Sequence, residues 1–229
     1  MTKLMCSIYP SRRPSIRRFS CVVAGLTTFL VMTAQLAAQS TAGAREQLVP
    51  ILGVKAGQKP TGTVAYLVVS FEDRQDEAGL IVHFKDNPGR FSRLAQTSVD
   101  QAIRRTARSL GLRTDSWTVQ LSVPYPGVTI YGESLSAMIA LAVAALAQGE
   151  FISPDRAITG TITPDGRIGA VGAVPIKIAA ARDAHLRRVL VPEDRDPGDG
   201  EYPLPFLMQI TPVNSVRQAY AALIARPRE

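Results

Sequence analysis

The chain has 229 residues, which suits one domain of ordinary size with a leader, and its composition (46% hydrophobic, 20% charged) excludes a disordered protein. The net charge of +7 is unevenly divided, because residues 1–44 carry five basic residues and no acidic one, whereas the rest carries 21 basic and 19 acidic residues. The near-neutral body argues against a nucleic-acid-binding surface, and no nucleic-acid partner is expected.

The first 44 residues have the order of an export signal. A basic stretch ends at Arg18, an apolar run covers about 21–38, and small residues occupy 42–44. This order is typical of a cleaved secretory signal, so we expect the mature chain to begin near Arg45. The alternative is an uncleaved membrane anchor through residues 19–38, although four polar residues interrupt that run. In both cases we expect the body to lie outside the cytoplasm, either periplasmic, secreted or anchored. The reason is that the positively charged flank of an apolar segment stays on the cytoplasmic side of the membrane.

Cysteine and histidine are scarce in the body. Both cysteines, Cys6 and Cys21, lie in the leader, so the body needs neither a disulfide nor a thiolate. The two histidines, His83 and His185, have no second ligand at metal-binding spacing. The sequence therefore predicts no metal site, and nothing in it suggests a cofactor.

Strands and helices mix along the body without strict alternation. After a polar linker at about 39–46, apolar and alternating runs predict strands over 63–71, 79–84, 117–123, 188–193 and 207–213. Helical spacing predicts helices over 90–112, 134–147, 175–184 and 215–225. A Pro-Asp-Gly turn at 164–166 predicts a hairpin between 157–163 and 167–172, and 192–205 is predicted as an exposed loop. This mixture predicts an α+β or mixed α/β fold, with one compact domain over 45–229 after the export segment 1–44.

A serine opens the most apolar helix of the chain. Residues 135–147 are apolar on every side, which is typical of a buried helix, and we expect Ser134 in its first turn. Free backbone N–H groups there can be capped by a serine side chain, or can receive an oxyanion beside a serine nucleophile. Ser136 is a rival nucleophile, but two residues into the helix it should face away from the first turn. A hydrolase elbow, G-x-S-x-G, would need glycine at that position, and only His185 follows as a triad base.

Lys177 is predicted to lie on an alanine face. Pro175 suits the start of a helix, and the neighbours of Lys177 three, four and seven residues on are Ala180, Ala181 and Ala184. Burial on such a face lowers the pKa of a lysine, and the positive end of the helix dipole acts in the same direction. An unprotonated amine can take the proton of a serine hydroxyl within hydrogen-bond reach. The alternative is a structural lysine whose stem passes the small alanines to reach solvent.

Short motifs follow one another in a fixed order between residues 132 and 193. They are Gly-Glu-Ser at 132–134, Thr-Gly at 159–160 ahead of Gly166, Val-Gly-Ala at 171–173, Lys177, and Val-Leu-Val-Pro-Glu at 189–193. This order and spacing resembles the proteolytic domain of Lon, a serine–lysine peptidase. Several matching points make the resemblance much more specific than a lone Gly-x-Ser.

The resemblance implies a Lon proteolytic-domain-like fold and a Ser-Lys dyad. Ser134 would be the nucleophile, Lys177 the general base and Thr159 the hydrogen-bonding partner of the lysine, with Gly132 and Glu133 as supporting residues. It also implies serine endopeptidase activity on unfolded or flexible polypeptides and self-association into a ring, expected to be a hexamer. The chain contains no G-x-x-x-x-G-K-[ST] motif, so the expected activity is independent of ATP.

Five positions depart from the family pattern. Glu133 and Leu135 replace small residues around the serine, Ala173 replaces the second glycine of the turn, and Pro175 and Ile176 replace polar residues before the lysine. These changes bear on substrate fit and rate more than on the dyad. The alternative function is a catalytically silent Lon-like binding or scaffold module outside the cytoplasm.

Overall fold

The computed structural model describes residues 44–55, 57–201 and 205–224. The predicted export segment 1–44, apart from Ala44, and the alternative anchor through residues 19–38 lie outside the described residues. Within the described ranges, no helix has the length and apolar character needed to cross a membrane.

The largest sheet has four strands. Strands β1 (Arg45–Lys55) and β2 (Thr61–Asp73) form a long antiparallel pair, and β5 (Trp117–Ser122) joins the other side of β2, also antiparallel. Strand β3 (Ile81–Phe84) pairs with β5 in parallel, so the order is β1-β2-β5-β3. The predicted strands over 63–71, 79–84 and 117–123 are confirmed, but β5 separates the first two.

Strand β1 was not predicted. The linker expected over 39–46 ends earlier, because Arg45 and Glu46 already belong to this strand. Two features make this strand hard to recognise from the sequence. Its buried residues do not alternate, and it contains Pro50, whose nitrogen cannot donate a hydrogen bond to a neighbouring strand. Its place at the sheet edge explains why the proline is tolerated.

The remaining strands form three smaller sheets. Strands β7 (Arg156–Ile158), β10 (Arg188–Pro192) and β11 (Gln209–Val213) make a parallel sheet in the order β11-β10-β7. Two-residue strands form the other pairs, which are β4 (Arg90–Phe91) with β6 (Thr129–Ile130) and β8 (Thr161–Ile162) with β9 (Ile168–Gly169). The strand predicted over 157–163 is therefore divided. Its first part joins the parallel sheet, its second part forms the hairpin, and Thr159 and Gly160 lie at the break.

The described residues contain four helices, close to the predicted ranges. They are α1 (Arg93–Leu110), α2 (Ser136–Ala147), α3 (Val174–Asp183) and α4 (Val216–Ile224). Helix α2 begins two residues later than predicted and is followed by Gly149 in the left-handed conformation, φ 74°, which is a usual C-terminal stop. The mixture of helices with parallel and antiparallel sheets in one compact domain confirms the predicted α+β or mixed α/β class.

Helix α2 lies at the centre of the main hydrophobic core. Every residue from Ser136 to Leu146 is buried, as the all-round apolar sequence predicted. Side chains of β1 bond two of its carbonyls: Arg45 Nη1 donates to Leu146 O over 2.5 Å in the last turn, and Gln47 Nε2 donates to Ala142 O over 3.3 Å in the middle of the helix. A second, smaller apolar cluster lies beneath α3 and includes Val174, Ile178 and Ala181. Helices α2 and α3 are therefore packed on different apolar clusters.

Candidate active site

Ser134 lies in a turn ahead of α2 rather than in the helix. Helix α2 begins at Ser136, whose N–H donates to Glu133 O over 2.9 Å, and its N-cap residue is Leu135, which makes no side-chain capping bond. The interpretation of Ser134 as a simple N-cap is therefore wrong. Ser134 is partly exposed, whereas Ser136 is buried in the helix, so the accessible hydroxyl is that of Ser134.

Backbone hydrogen bonds join this turn to the break after β7. Gly160 N–H donates to Ser134 O over 3.0 Å, and Ala137 N–H donates to Gly160 O over 3.2 Å. This pairing holds Ser134 beside the Thr159–Gly160 segment. The Ser136 and Ala137 amides already have protein acceptors, so these two N–H groups are not free to receive an oxyanion.

Gly132 and Glu133 precede the serine in this turn. Gly132 has φ 84°, in the left-handed region, and a Cβ there would meet no atom within 4 Å. The glycine is required by backbone conformation rather than by space. Glu133 is exposed, so its side chain faces solvent and not the core.

Lys177 is buried in the first turns of α3. Only 4% of the residue is exposed, which confirms the predicted burial on the alanine face. Its Nζ donates to Thr159 Oγ1 over 3.2 Å. Burial lowers the pKa of Lys177 from its ordinary 10.5 to about 8, while the negative charge of Asp199 acts in the opposite direction. A fraction of the amine is therefore unprotonated near neutral pH, as a general base requires.

Thr159 connects the two halves of the site. The residue is 1% exposed, and its N–H donates to Leu190 O over 3.1 Å at the end of the parallel pair β7–β10. Its side chain bonds Lys177, and the next residue, Gly160, bonds Ser134. The structure thus brings Ser134, Thr159 and Lys177 to one place, although among the described residues no hydrogen bond joins the Ser134 hydroxyl directly to the Lys177 amine.

Asp199 is the residue that the sequence did not single out. It belongs to the segment predicted as an exposed loop over 192–205, but its carboxylate accepts from the N–H groups of Ala173 and Val174, over 2.8 and 2.9 Å. One signal was available: neither Ala173 nor Val174, ahead of the predicted helix, has a side chain able to cap it, so its first N–H groups must be satisfied by other groups or by water. The sequence could not indicate which acid caps the helix.

The two histidines lie apart from this site. His83 and His185 are both exposed, and the structure places neither of them among the contacts of Ser134. In the described ranges, no group of three or more His, Cys, Asp or Glu side chains is arranged to hold a metal ion.

Comparisons with known proteins agree on one family. The Lon protease (S16) C-terminal proteolytic domain matches residues 90–225, which is more than half of the chain. The Lon protease of Syntrophomonas wolfei is 32% identical over 111 residues, covering 47% of this chain and 14% of the relative. The peroxisomal Lon protease homolog 2 of Caenorhabditis briggsae is 34% identical over 91 residues, or 39% of this chain and 12% of the relative. The Lon protease of Mycolicibacterium smegmatis is 27% identical over 131 residues, or 56% and 17%.

The fold and the motifs define a serine-peptidase type of domain. The chain belongs to the Lon protease (S16) C-terminal proteolytic domain family. It spans less than a fifth of the length of these curated relatives, and strands β1 to β3 precede the matched region.

Proposed function

We propose that the chain is an ATP-independent serine endopeptidase of the Lon type, which hydrolyses peptide bonds in unfolded or flexible polypeptides through Ser134 and Lys177. One observation carries the proposal: a buried amine with a lowered pKa is bonded to Thr159, next to the turn that presents Ser134. Membership of the family supports the same assignment.

The chemistry follows from these positions. The neutral Lys177 amine takes the proton of the Ser134 hydroxyl as the oxygen attacks the substrate carbonyl. The resulting ammonium then gives the proton to the leaving amine, and water, activated by the same amine, releases the acyl group. Thr159 orients the lysine without taking part in bond making. Catalytic hydrogen bonds often tighten only when substrate is bound, which accounts for the missing direct contact between serine and lysine.

The proposed setting is outside the cytoplasm, in a ring-shaped homo-oligomer of six copies. The leader composition supports export, with the alternative of attachment through residues 19–38, and family resemblance supports the ring. Intact mass of the exported chain and its molar mass in solution test both points. A mass that retains the leader would favour the anchor, and a monomer at working concentration would contradict the ring.

The test of the dyad is hydrolysis of an unstructured protein by the full chain, with and without ATP. Ser134→Ala and Lys177→Met should each lower turnover by at least about 10³-fold, because residues of a catalytic unit act together. Lys177→Arg should also be inactive, since a guanidinium keeps its proton. Thr159→Val should weaken turnover without abolishing it.

The matched control is Ser136→Ala, which removes a hydroxyl two residues away and should keep activity. Thermal unfolding of each variant shows whether it is folded. Proteolysis by folded Ser134→Ala, or turnover that requires ATP, would contradict the proposal. A folded wild-type chain that hydrolyses nothing but still binds polypeptides would favour the silent binding module.

A further inference from the structure

The loop between β10 and β11 reaches back to the helix that carries Lys177. In this loop Asp199 Oδ1 accepts from Ala173 N–H and Oδ2 from Val174 N–H, over 2.8 and 2.9 Å. The first N–H groups of a helix have no partner within the helix, and a carboxylate there also interacts favourably with the helix dipole. The loop is braced by Asp196, whose backbone carbonyl accepts from Asp199 N–H over 3.0 Å.

The residue that Asp199 holds is conformationally strained. Ala173 has φ 61° and ψ 28°, the left-handed conformation that L-residues other than glycine seldom adopt. The hydrogen bond from its own N–H to Asp199 fixes this conformation. Ala173 O in turn accepts from Lys177 N–H over 3.1 Å, so a direct chain of contacts runs from Asp199 to the backbone of the lysine.

Asp199 also acts on the lysine through its charge. Its carboxylate raises the pKa of Lys177 against the larger, lowering effect of burial. Helix α3 packs against β1, β2 and β10. The charged residues on these four elements are Arg182 and Asp183 on α3, Arg45, Glu46 and Lys55 on β1, Glu72 and Asp73 on β2, and Arg188 on β10. The charge that favours the protonated Lys177 amine is that of Asp199, on the loop ahead of β11.

We propose that Asp199 is a positioning residue of the dyad: its carboxylate clamps the N-terminus of α3 and thereby sets the place of the Lys177 amine. The inference rests on the proposed function only where activity is measured. The clamp itself rests on the two hydrogen bonds and on the strained residue between them.

The first experiment follows the Lys177 amine directly. The full chain contains five lysines, so ¹³C-lysine labelling gives few NMR signals, and Lys177→Met assigns the one of interest. Asp199→Asn keeps an oxygen that can accept from the helix but removes the charge. Its Lys177 titration midpoint should move to lower pH, because the ammonium loses a favourable neighbour.

The matched control lies in the same loop. Asp194 is exposed and pairs with Arg167 over 3.2 Å, so Asp194→Asn removes the same charge without touching α3. Its Lys177 midpoint should stay at the wild-type value. Equal shifts in both variants, or none in Asp199→Asn, would overturn the electrostatic part of the inference.

The second experiment separates positioning from stability. Asp199→Ala loses both hydrogen bonds, so we expect a lower melting temperature and about a tenfold lower kcat, with KM within about twofold. In the double variant that combines Asp199→Ala with Ala173→Gly, the backbone strain is removed. Its melting temperature should recover, but its kcat and its Lys177 titration midpoint should not. Asp199→Glu, which restores the charge, should recover the midpoint in part.

The outcomes also distinguish this inference from the proposed function. If wild type hydrolyses no substrate but Asp199→Asn still moves the Lys177 midpoint, the peptidase proposal fails and the clamp stands. If Asp199→Ala lowers the melting temperature alone, with kcat and midpoint unchanged, Asp199 is a structural cap and the inference is wrong.

Discussion

The two helices that carry the proposed dyad are held in different ways. Helix α2, behind Ser134, is buried along its length, and its ends are bonded by Gly160 and by side chains of β1. Helix α3, which carries Lys177, packs on a small apolar cluster and is less buried, since only four of its ten residues are fully buried. Its start depends on a loop carboxylate, and the residue before it is strained.

This contrast separates two physical tasks. Helix α2, which follows the proposed nucleophile, is held mainly by apolar burial, which is insensitive to pH and distributed over many contacts. The proposed base is positioned by a few polar contacts around a buried amine, and each of these responds to pH or to a single substitution. We therefore expect stability and activity to be tunable mainly on the lysine side, and three predictions examine that difference.

The largest expected effect is a pH-dependent stability that belongs to Lys177. Between the folded pKa of about 8 and the ordinary 10.5, the unfolded chain binds more protons than the folded chain. The free energy of unfolding should therefore rise with pH across this window, by on the order of 3 kcal/mol in total, and the stabilisation should be absent below pH 8.

Denaturant unfolding of wild type and Lys177→Met at several pH values checks this. Burial and Glu150 raise the pKa of Tyr220, so this residue lowers stability above pH 10 in both proteins, and the difference between them removes its contribution. Lys177→Met should be the more stable protein at pH 7 and should lose most of that advantage as the pH rises to about 10.5. If the free energy of unfolding changed with pH in the same way in both proteins, the Lys177 amine would not be buried as described.

The second prediction concerns the contact between α3 and the sheet. A Cβ at Gly62 of β2 would contact the Ile176 carbonyl oxygen and approach Ala180 Cβ to 2.8 Å. Gly62→Ala should push the lysine helix away and lower the free energy of unfolding by about 2 kcal/mol, with loss of turnover. The control is Gly53→Ala on the neighbouring strand, where the new Cβ would lie 3.4 Å from Thr63 Cγ2 and the change should stay within about 0.5 kcal/mol. Equal effects of the two substitutions would contradict this close packing.

The sequence predicted what depends on local pattern. The all-apolar run predicted a buried α2, and the alanines around Lys177 predicted its burial, because helical spacing fixes which neighbours share a face. The order of motifs from Gly132 to Glu193 predicted the family. These features need no knowledge of distant partners.

The features that were missed are those set by distant contacts. The break at Thr159–Gly160 results from pairing with two different sheets, and apolar periodicity continues across it. Strand β1 forms because β2 pairs with it, despite Pro50. The Asp199 clamp joins residues 25 and 26 positions apart. The same loop contains several other acidic residues, and nothing in the sequence distinguishes Asp199 from them as the cap of α3.

The smallest expected effect compares the residues that precede the two helices. Gly132, before Ser134, and Ala173, before α3, both have left-handed backbone, with φ 84° and 61°. A left-handed residue other than glycine costs about 1–2 kcal/mol, part of which glycine offsets by its greater freedom in the unfolded chain. Ala173→Gly should therefore raise the free energy of unfolding by about 0.5–1 kcal/mol, and Gly132→Ala should lower it by a similar amount. Denaturant unfolding at pH 7 measures both. If Ala173→Gly destabilises the chain, α3 does not begin with the strain assigned to it, and the lysine side is held as firmly as the nucleophile side.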